Sequence, residues 1–226
     1  VVMLLDFTRQ LDIIAIVGVP VIAGNILLNC AAVIQKGDLL ALIPKTFLPN
    51  YSEFYEKRWF ASSQDLNPID ILYAGSSIHI TNQPTIFRTY TGATFGIELC
   101  EDVWAPEPPS TRLCLSGADI IFNLSASDEL IGKHNYLCSL LSQQSARTMS
   151  GYVYSSSGFG ESTQDLVYGG NALIYENGNE VASSERFSFE SQMVVAQIDY
   201  EMLRAERRNN TTFINAQRPT SLSHTL

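Results

Sequence analysis

Runs of apolar residues broken by short polar segments predict a chain rich in strands. Ile13–Val21 is almost continuously apolar, which is typical of a strand buried on both faces. Two further runs, Cys30–Ile34 and Leu39–Ile43, flank Gln35-Lys36-Gly37-Asp38, and a glycine in so short a link predicts a hairpin turn. Asn177-Gly178 gives the strongest hairpin signal, between runs at Ala172–Tyr175 and Glu180–Ser183.

The remaining periodic segments predict an α/β fold. Helices are expected at residues 1–12, after a cap at Ser110, and at His134–Ser150 and Tyr200–Arg208. The other predicted strands are Ile78–Ile80, Thr85–Tyr90, Phe95–Leu99, Asp119–Leu124, Tyr152–Ser157 and Met193–Ile198. Strands interleaved with helices predict one domain over residues 1–208, a sheet covered by helices. Residues 209–226 turn polar and lose their period, so we expect a linker or tail there.

Composition excludes several classes of protein. With 46% hydrophobic and 16% charged residues, the 226-residue chain is globular in character. A net charge of −9 argues against nucleic acid and anionic membranes as partners. No apolar run approaches the roughly 20 residues of a membrane helix, and no signal peptide is visible, so we expect a cytoplasmic protein. The four cysteines, without a C-x-x-C pair, predict neither disulfides nor a zinc site.

The candidate chemistry centres on Cys100. The Phe95–Leu99 run ends at this thiol, which Glu101 and Asp102 follow directly. A buried structural cysteine is the alternative, but two adjacent carboxylates make a poor core. Polar residues also follow two other predicted strands, at Lys45 and at Ser125–Asp128. Because ligand sites in α/β sheets favour the carboxyl ends of strands, these clusters predict a shared site.

Five groups of motifs stand out along the chain: Pro44–Tyr51 with Glu53–Glu56, Gly96–Trp104, Asn123–Ser127 with Gly132-Lys133, Gln143–Arg147, and Gly158–Ser162. Together they resemble the nitrilase (carbon–nitrogen hydrolase) superfamily, and within it the glutaminase domains of glutamine-dependent NAD+ synthetases. The likeness covers about residues 10–208. It implies an α-β-β-α sandwich. It also implies hydrolysis of glutamine to glutamate with release of ammonia.

The resemblance also implies roles for single residues. Cys100 is expected to be the nucleophile, Lys45 to stabilise the oxyanion, and Glu56 to orient the lysine. Three residues match glutamine-binding positions: Tyr51, Ser127 and Lys133. Glu101 is expected to accept from the ammonium of glutamine or to give its backbone N–H to the oxyanion. A solvated charge at a helix start is the alternative for Lys133.

One catalytic group of the superfamily has no match. Its general-base glutamate lies upstream of the lysine, where this sequence has only Asp6, Asp12 and Asp38. The chain opens with Val1 in mid-pattern, so we expect a truncated enzyme without the first strands, the first helix and the base. Such a fragment would be inactive or nearly so, and would hide its apolar surface in a homo-oligomer.

The expected partners follow from the same resemblance. They are L-glutamine and a C-terminal synthetase domain of the same polypeptide, which would use the ammonia. No cofactor is expected in this domain, because ATP, Mg²⁺ and deamido-NAD+ belong to the synthetase. Two alternatives stay open: a stand-alone amidase for another small amide, and a catalytically silent assembly module.

Overall fold

The computed structural model describes residues 1–217 and the backbone of Leu222–Thr225. Within it the chain divides into a unit of residues 1–83 and a second unit that begins at Pro84. The sequence-based boundary between a domain over 1–208 and a tail stays a prediction. None of the described helices is both long enough and apolar enough to cross a membrane.

The first unit is built on hairpins. Its elements are α1 (Val2–Thr8), β1 (Ile14–Ala23), β2 (Ile26–Gln35), β3 (Asp38–Pro44), β4 (Ile69–Tyr73) and β5 (Ser76–Ile80). Strands β1, β2 and β3 form an antiparallel sheet in that order, and β4 pairs with β5 separately. The predicted turn between β2 and β3 is confirmed, with φ of 49° at Lys36 and 90° at Gly37. The turn between β1 and β2, at Gly24-Asn25, was not predicted.

Strand β1 differs from its prediction. It lies at the edge of its sheet, and its exposure alternates from Gly18 onward. Val19 and Val21 are buried, whereas Ile22 is 71% exposed. The prediction of a strand buried on both faces is therefore wrong, because an apolar run does not reveal whether a second layer covers the strand.

The second unit contains a seven-stranded sheet in the order β11-β10-β9-β8-β7-β6-β12. Its elements are β6 (Thr85–Arg88), β7 (Thr94–Leu99), α2 (Pro109–Leu115), β8 (Ile120–Ser125), α3 (Lys133–Thr148), β9 (Gly151–Ser156), β10 (Ala172–Glu176), β11 (Asn179–Ser183), α4 (Tyr200–Asn209), α5 (Thr211–Ala216) and β12 (Leu222–Thr225). Strands β7, β8 and β9 are mutually parallel, with α2 and α3 as crossovers. The carboxyl ends of these three strands therefore share one edge of the sheet.

The crossover helices bury one face of this sheet. Leu113 of α2 and Leu137 and Leu141 of α3 pack with Ile121 in a core cluster. Strand β7 carries Gly96 opposite α2, where an added Cβ would lie 2.9 Å from a methyl carbon of Leu113. This close approach packs the strand that leads to Cys100 tightly against α2.

Two local predictions fail in the second unit. Ser110 does not cap α2, because Pro108 takes the cap position and Pro109 the first turn. Residues 193–198 form no strand, and Met193 and Val195 are 87% and 73% exposed. The polar segment after residue 209 forms α5 and β12, and β12 runs parallel to β6.

Candidate active site

The first unit contains a buried lysine held by one carboxylate. Lys45 follows β3, is 3% exposed, and places its Nζ 2.5 Å from Oε2 of Glu56. Glu56 opens a single 3₁₀ turn in the predicted surface loop. Asn29 of β2 donates from Nδ2 to the other carboxylate oxygen at 2.7 Å, and its carbonyl accepts the Lys45 N–H at 2.8 Å. Asn29 thus fixes both members of the pair, and the ammonium is a fixed, desolvated positive charge.

Tyr51, predicted to bind substrate, lies in the same loop as Glu56. Its ring is 55% exposed and meets Phe54 edge-on at 5.9 Å between centroids. It is therefore presented at the surface of the unit.

The acids upstream of Lys45 are surface residues. Asp6 and Asp12 are exposed and form ion pairs with Arg9 and Lys36. Asp38 is exposed at the start of β3. These are the surroundings of solvated carboxylates, so none of the three is assigned as a general base.

In the second unit, Cys100 sits in a strained turn at the end of β7. Its φ of 47° is left-handed, which costs a residue with a side chain of the order of 1–3 kcal/mol. Asp102 closes the turn by accepting the Leu99 N–H at Oδ2, 2.9 Å away. Asn123 of β8 accepts the N–H of Cys100 itself at 3.1 Å. The backbone of the half-buried Cys100 is thereby fixed at the edge where three parallel strands end.

Behind Cys100 lies a buried polar network. Oδ1 of Asn123 also accepts from the Ser125 hydroxyl at 2.8 Å, while its Nδ2 donates to the Tyr152 hydroxyl at 3.1 Å. Tyr152 in turn donates to Oε1 of Glu98. Burial raises the pKa of Glu98, and burial and the adjacent glutamate raise that of Tyr152 well above its ordinary value. The tyrosine hydroxyl therefore keeps its proton at neutral pH.

No role was predicted from the sequence for Glu98, Asn123 or Tyr152. A signal was nevertheless present, because Glu98 and Asn123 each interrupt an otherwise apolar strand one or two residues before it ends. Polar side chains at such interior positions need partners, and these residues find them in each other.

The other predicted binding residues follow β8. Ser127 is buried, and its N–H donates to the Ser156 hydroxyl at 3.3 Å. Lys133 opens α3, with its Nζ 2.6 Å from the buried Asp128 carboxylate and 5.8 Å from the Trp104 ring centroid. The Lys133 ammonium is thus mostly buried and paired with a carboxylate, which differs from the solvated charge given as the alternative.

The remaining thiols differ from Cys100. Burial raises the pKa of Cys30 to about 12, and burial also raises that of Cys114. Cys138 is half-buried in α3, with Sγ 3.5 Å from Nε2 of His134. Among the described residues, no group of three or more His, Cys, Asp or Glu side chains is arranged to hold a metal ion.

Known proteins resemble this chain in sequence and in fold. The glutamine-dependent NAD(+) synthetase of Mycobacterium tuberculosis is 37% identical over 219 residues, which cover 95% of this chain and 32% of that protein. No protein-family model matches the chain.

Solved structures extend the comparison. A glutamine-dependent NAD(+) synthetase from Cytophaga hutchinsonii superposes with a TM-score of 0.73 at 25% identity, over 85% of this chain and 31% of that one. A carbon–nitrogen hydrolase from Helicobacter pylori gives a TM-score of 0.72 at 18% identity, over 95% of this chain and 71% of that one. The predicted resemblance is therefore confirmed: the chain shares the fold of a carbon–nitrogen hydrolase, and its sequence is similar to one segment, 32% of the length, of a glutamine-dependent NAD(+) synthetase.

Proposed function

We propose that this chain is the glutaminase part of a glutamine-dependent NAD+ synthetase. The observation that carries the proposal is the thiol of Cys100, fixed with φ of 47° at the carboxyl end of a parallel strand. The buried Lys45–Glu56 pair supplies the residue types that amide hydrolysis by a thiol needs. The 37% identity to a glutamine-dependent synthetase supports glutamine as the substrate rather than another small amide.

The proposed chemistry has two stages. A general base takes the proton of the Cys100 thiol as the sulfur attacks the carboxamide carbon. The same group returns that proton to the nitrogen as the carbon–nitrogen bond breaks, so that ammonia leaves and the thioester remains; no residue of this chain is assigned to that group. Water then hydrolyses the thioester and releases glutamate. Lys45 is assigned to the oxyanion and Glu56 to orienting Lys45. Because the N–H of Cys100 donates to Asn123, the backbone donor to the oxyanion is assigned to Glu101.

Recognition of glutamine is assigned to the remaining predicted residues. An α-amino acid needs donors for its carboxylate and acceptors for its ammonium. Tyr51, Ser127 and Lys133 supply donors, and the Glu101 side chain supplies an acceptor. The buried Asp128 holds the ammonium of Lys133 in place.

We assign the use of ammonia to a synthetase domain of the whole protein. That domain would bind ATP, Mg²⁺ and deamido-NAD+, and none of these is assigned to residues of this chain. We further propose a cytoplasmic homo-oligomer, which light scattering across a dilution series tests. A monodisperse species of 25.0 kDa at every concentration would contradict self-association.

The chain by itself is expected to turn over glutamine slowly, because no acid upstream of Lys45 is assigned as the base. General acid–base catalysis is typically worth about 10²–10⁴-fold in rate. An assay of glutamate release should therefore give a rate lower by about that factor than the rate of an intact synthetase. Turnover at the intact rate would show that the base is among the described residues.

A test of substrate class must therefore not depend on turnover. A chloromethyl ketone built on L-glutamine places an electrophile where the carboxamide carbon would lie. We expect it to alkylate Cys100 at least about 10-fold faster than its D-enantiomer, as judged by peptide mass spectrometry. Glutamine itself should protect Cys100 from the L-reagent.

Two variants sharpen this test. Lys133→Met should abolish the preference for the L-reagent, whereas the matched change Lys36→Met, at an exposed lysine paired with Asp12, should leave it intact. Equal rates for both enantiomers would refute glutamine recognition and favour an amidase for another amide. Labelling at Cys138 in place of Cys100 would refute the nucleophile itself.

A further inference from the structure

The hydrogen bonds behind Cys100 run in one direction. Glu98 accepts from the hydroxyl of Tyr152, that hydroxyl accepts from Nδ2 of Asn123, and Oδ1 of Asn123 accepts the N–H of Cys100 at 3.1 Å. All the links lie within the second unit. The other oxygen of Glu98 accepts the backbone N–H of Ser110 in α2 at 2.7 Å.

Each link fixes the orientation of the next. Both carboxyl oxygens of Glu98 accept, one from the Ser110 N–H and the other from the Tyr152 hydroxyl, so Tyr152 is the donor in its bond to Glu98. The lone pairs of Tyr152 then face Asn123 and require its NH₂ on that side. With the NH₂ so placed, the carbonyl oxygen of Asn123 must face Cys100. A reversed amide would set two donors against each other at the nucleophile.

We propose that Glu98 and Tyr152 are positioning residues for the nucleophile: through Asn123 they hold Cys100 in its left-handed conformation. The proposal deepens the proposed glutaminase function and rests on it for its catalytic consequence.

The position of the network supports this role. Glu98, Asn123 and Tyr152 are each at most 1% exposed, so water does not compete for their hydrogen bonds. The φ of 47° at Cys100 is costly for a residue with a side chain and persists only where neighbours enforce it. The bond from Cys100 to Asn123 is the enforcing contact that reaches this residue from β8.

The four cysteines allow the first link to be observed directly. Protein labelled with ¹⁵N-cysteine gives four backbone amide signals, from Cys30, Cys100, Cys114 and Cys138. In Tyr152→Phe the amide proton of Cys100 should exchange about 3- to 10-fold faster, the factor expected from loss of one neutral hydrogen bond. The other three amides should keep their rates.

The matched control is Tyr175→Phe. Tyr175 lies directly opposite Tyr152 in the β9–β10 ladder, is also buried, and also donates to a glutamate, Oε2 of Glu180 at 3.2 Å. It has no link to Asn123 in the described network. Its loss should leave the exchange of the Cys100 amide unchanged.

A second variant keeps the proposal testable if Tyr152→Phe does not fold. Glu98→Gln keeps the shape of the side chain but turns one acceptor into a donor, so it should disorient Tyr152 and accelerate the Cys100 amide to a similar extent. If Tyr152→Phe does not fold, so that all four amide signals collapse to random-coil positions, Glu98→Gln decides the question. Exchange at Cys100 that matches the Tyr175→Phe control in a folded variant would overturn the proposal.

The catalytic consequence is measured separately. With the L-glutamine chloromethyl ketone, the limiting alkylation rate of Cys100 should fall about 3- to 10-fold in Tyr152→Phe, with the half-saturating concentration unchanged. A raised half-saturating concentration at an unchanged limiting rate would overturn positioning in favour of substrate binding. If the reagent shows no preference for the L-form even in the parent chain, the glutaminase function fails, and the exchange experiment still tests the network.

Discussion

Replacing Glu56 by glutamine tests whether the Lys45 ammonium depends on one carboxylate. The side chains are 3% and 15% exposed, so the lysine would keep a desolvated charge without its counter-ion. Removing one member of a buried pair typically costs about 3–5 kcal/mol. Because Glu56 retains some exposure, we expect the lower end, about 3 kcal/mol. Glutamine also offers one acceptor where the carboxylate offers two, to Lys45 and to Asn29.

Hydrogen exchange read by mass spectrometry measures this loss within the first unit. A cost of about 3 kcal/mol should accelerate the slowest amides of β2 and β3 by about 100-fold, since about 1.4 kcal/mol corresponds to a factor of ten. Asp12→Asn is the matched control, because Asp12 and Lys36 form a similar pair at 65% and 59% exposure. That change should cost at most about 1 kcal/mol. Equal acceleration in the two variants would refute the argument from burial.

Limited alkylation should label Cys100 before Cys30 and Cys114, whose burial disfavours the thiolate; early labelling of Cys114 in peptide maps would contradict this. Burial raises the pKa of Cys30 from 9.0 to about 12 in the folded state, so between pH 9 and 12 the parent should lose about 1.4 kcal/mol of stability per pH unit relative to Cys30→Ala. Urea-unfolding free energies that fall equally with pH in both proteins would contradict this prediction. Gly96→Ala should destabilise the second unit by about 1–3 kcal/mol through its contact with Leu113, and an unchanged unfolding midpoint would show that this side chain simply moves aside.

Local sequence signals correctly predicted the hairpins and the strand that leads to Cys100. Turns such as Lys36-Gly37 and Asn177-Gly178 carry their information in adjacent residues, and both show the expected positive φ. The break from an apolar strand to Cys100 and two acids is equally local. The contact between Lys45 and Glu56, by contrast, joins residues 11 positions apart and leaves no local signal, so it was anticipated only through the resemblance to a family.

Features that depend on distant partners escaped prediction. Met193–Ile198 has the pattern of a strand but no ladder partner in the described structure. Conversely, Leu222–Thr225 lies in a polar segment and still pairs with Thr85–Arg88, more than 130 residues earlier. Backbone hydrogen bonds across such distances leave no periodic trace in either segment. The same limit hid the link between Glu98 and Tyr152, which are 54 positions apart.

A contribution to the stability of the fold does not explain why a polar network lies behind Cys100. Replacing both partners of a buried hydrogen bond with apolar groups of similar shape is often nearly neutral. Glu98, Asn123 and Tyr152 occupy strand positions where such groups would pack, yet they carry polar atoms whose burial is costly unless every one finds a partner. What the apolar substitutes would not provide is an acceptor for the Cys100 N–H in a turn that itself costs free energy. On the proposed positioning role, the conformation of Cys100 therefore depends on the interior of the sheet, through Asn123, as well as on Asp102 in the turn itself.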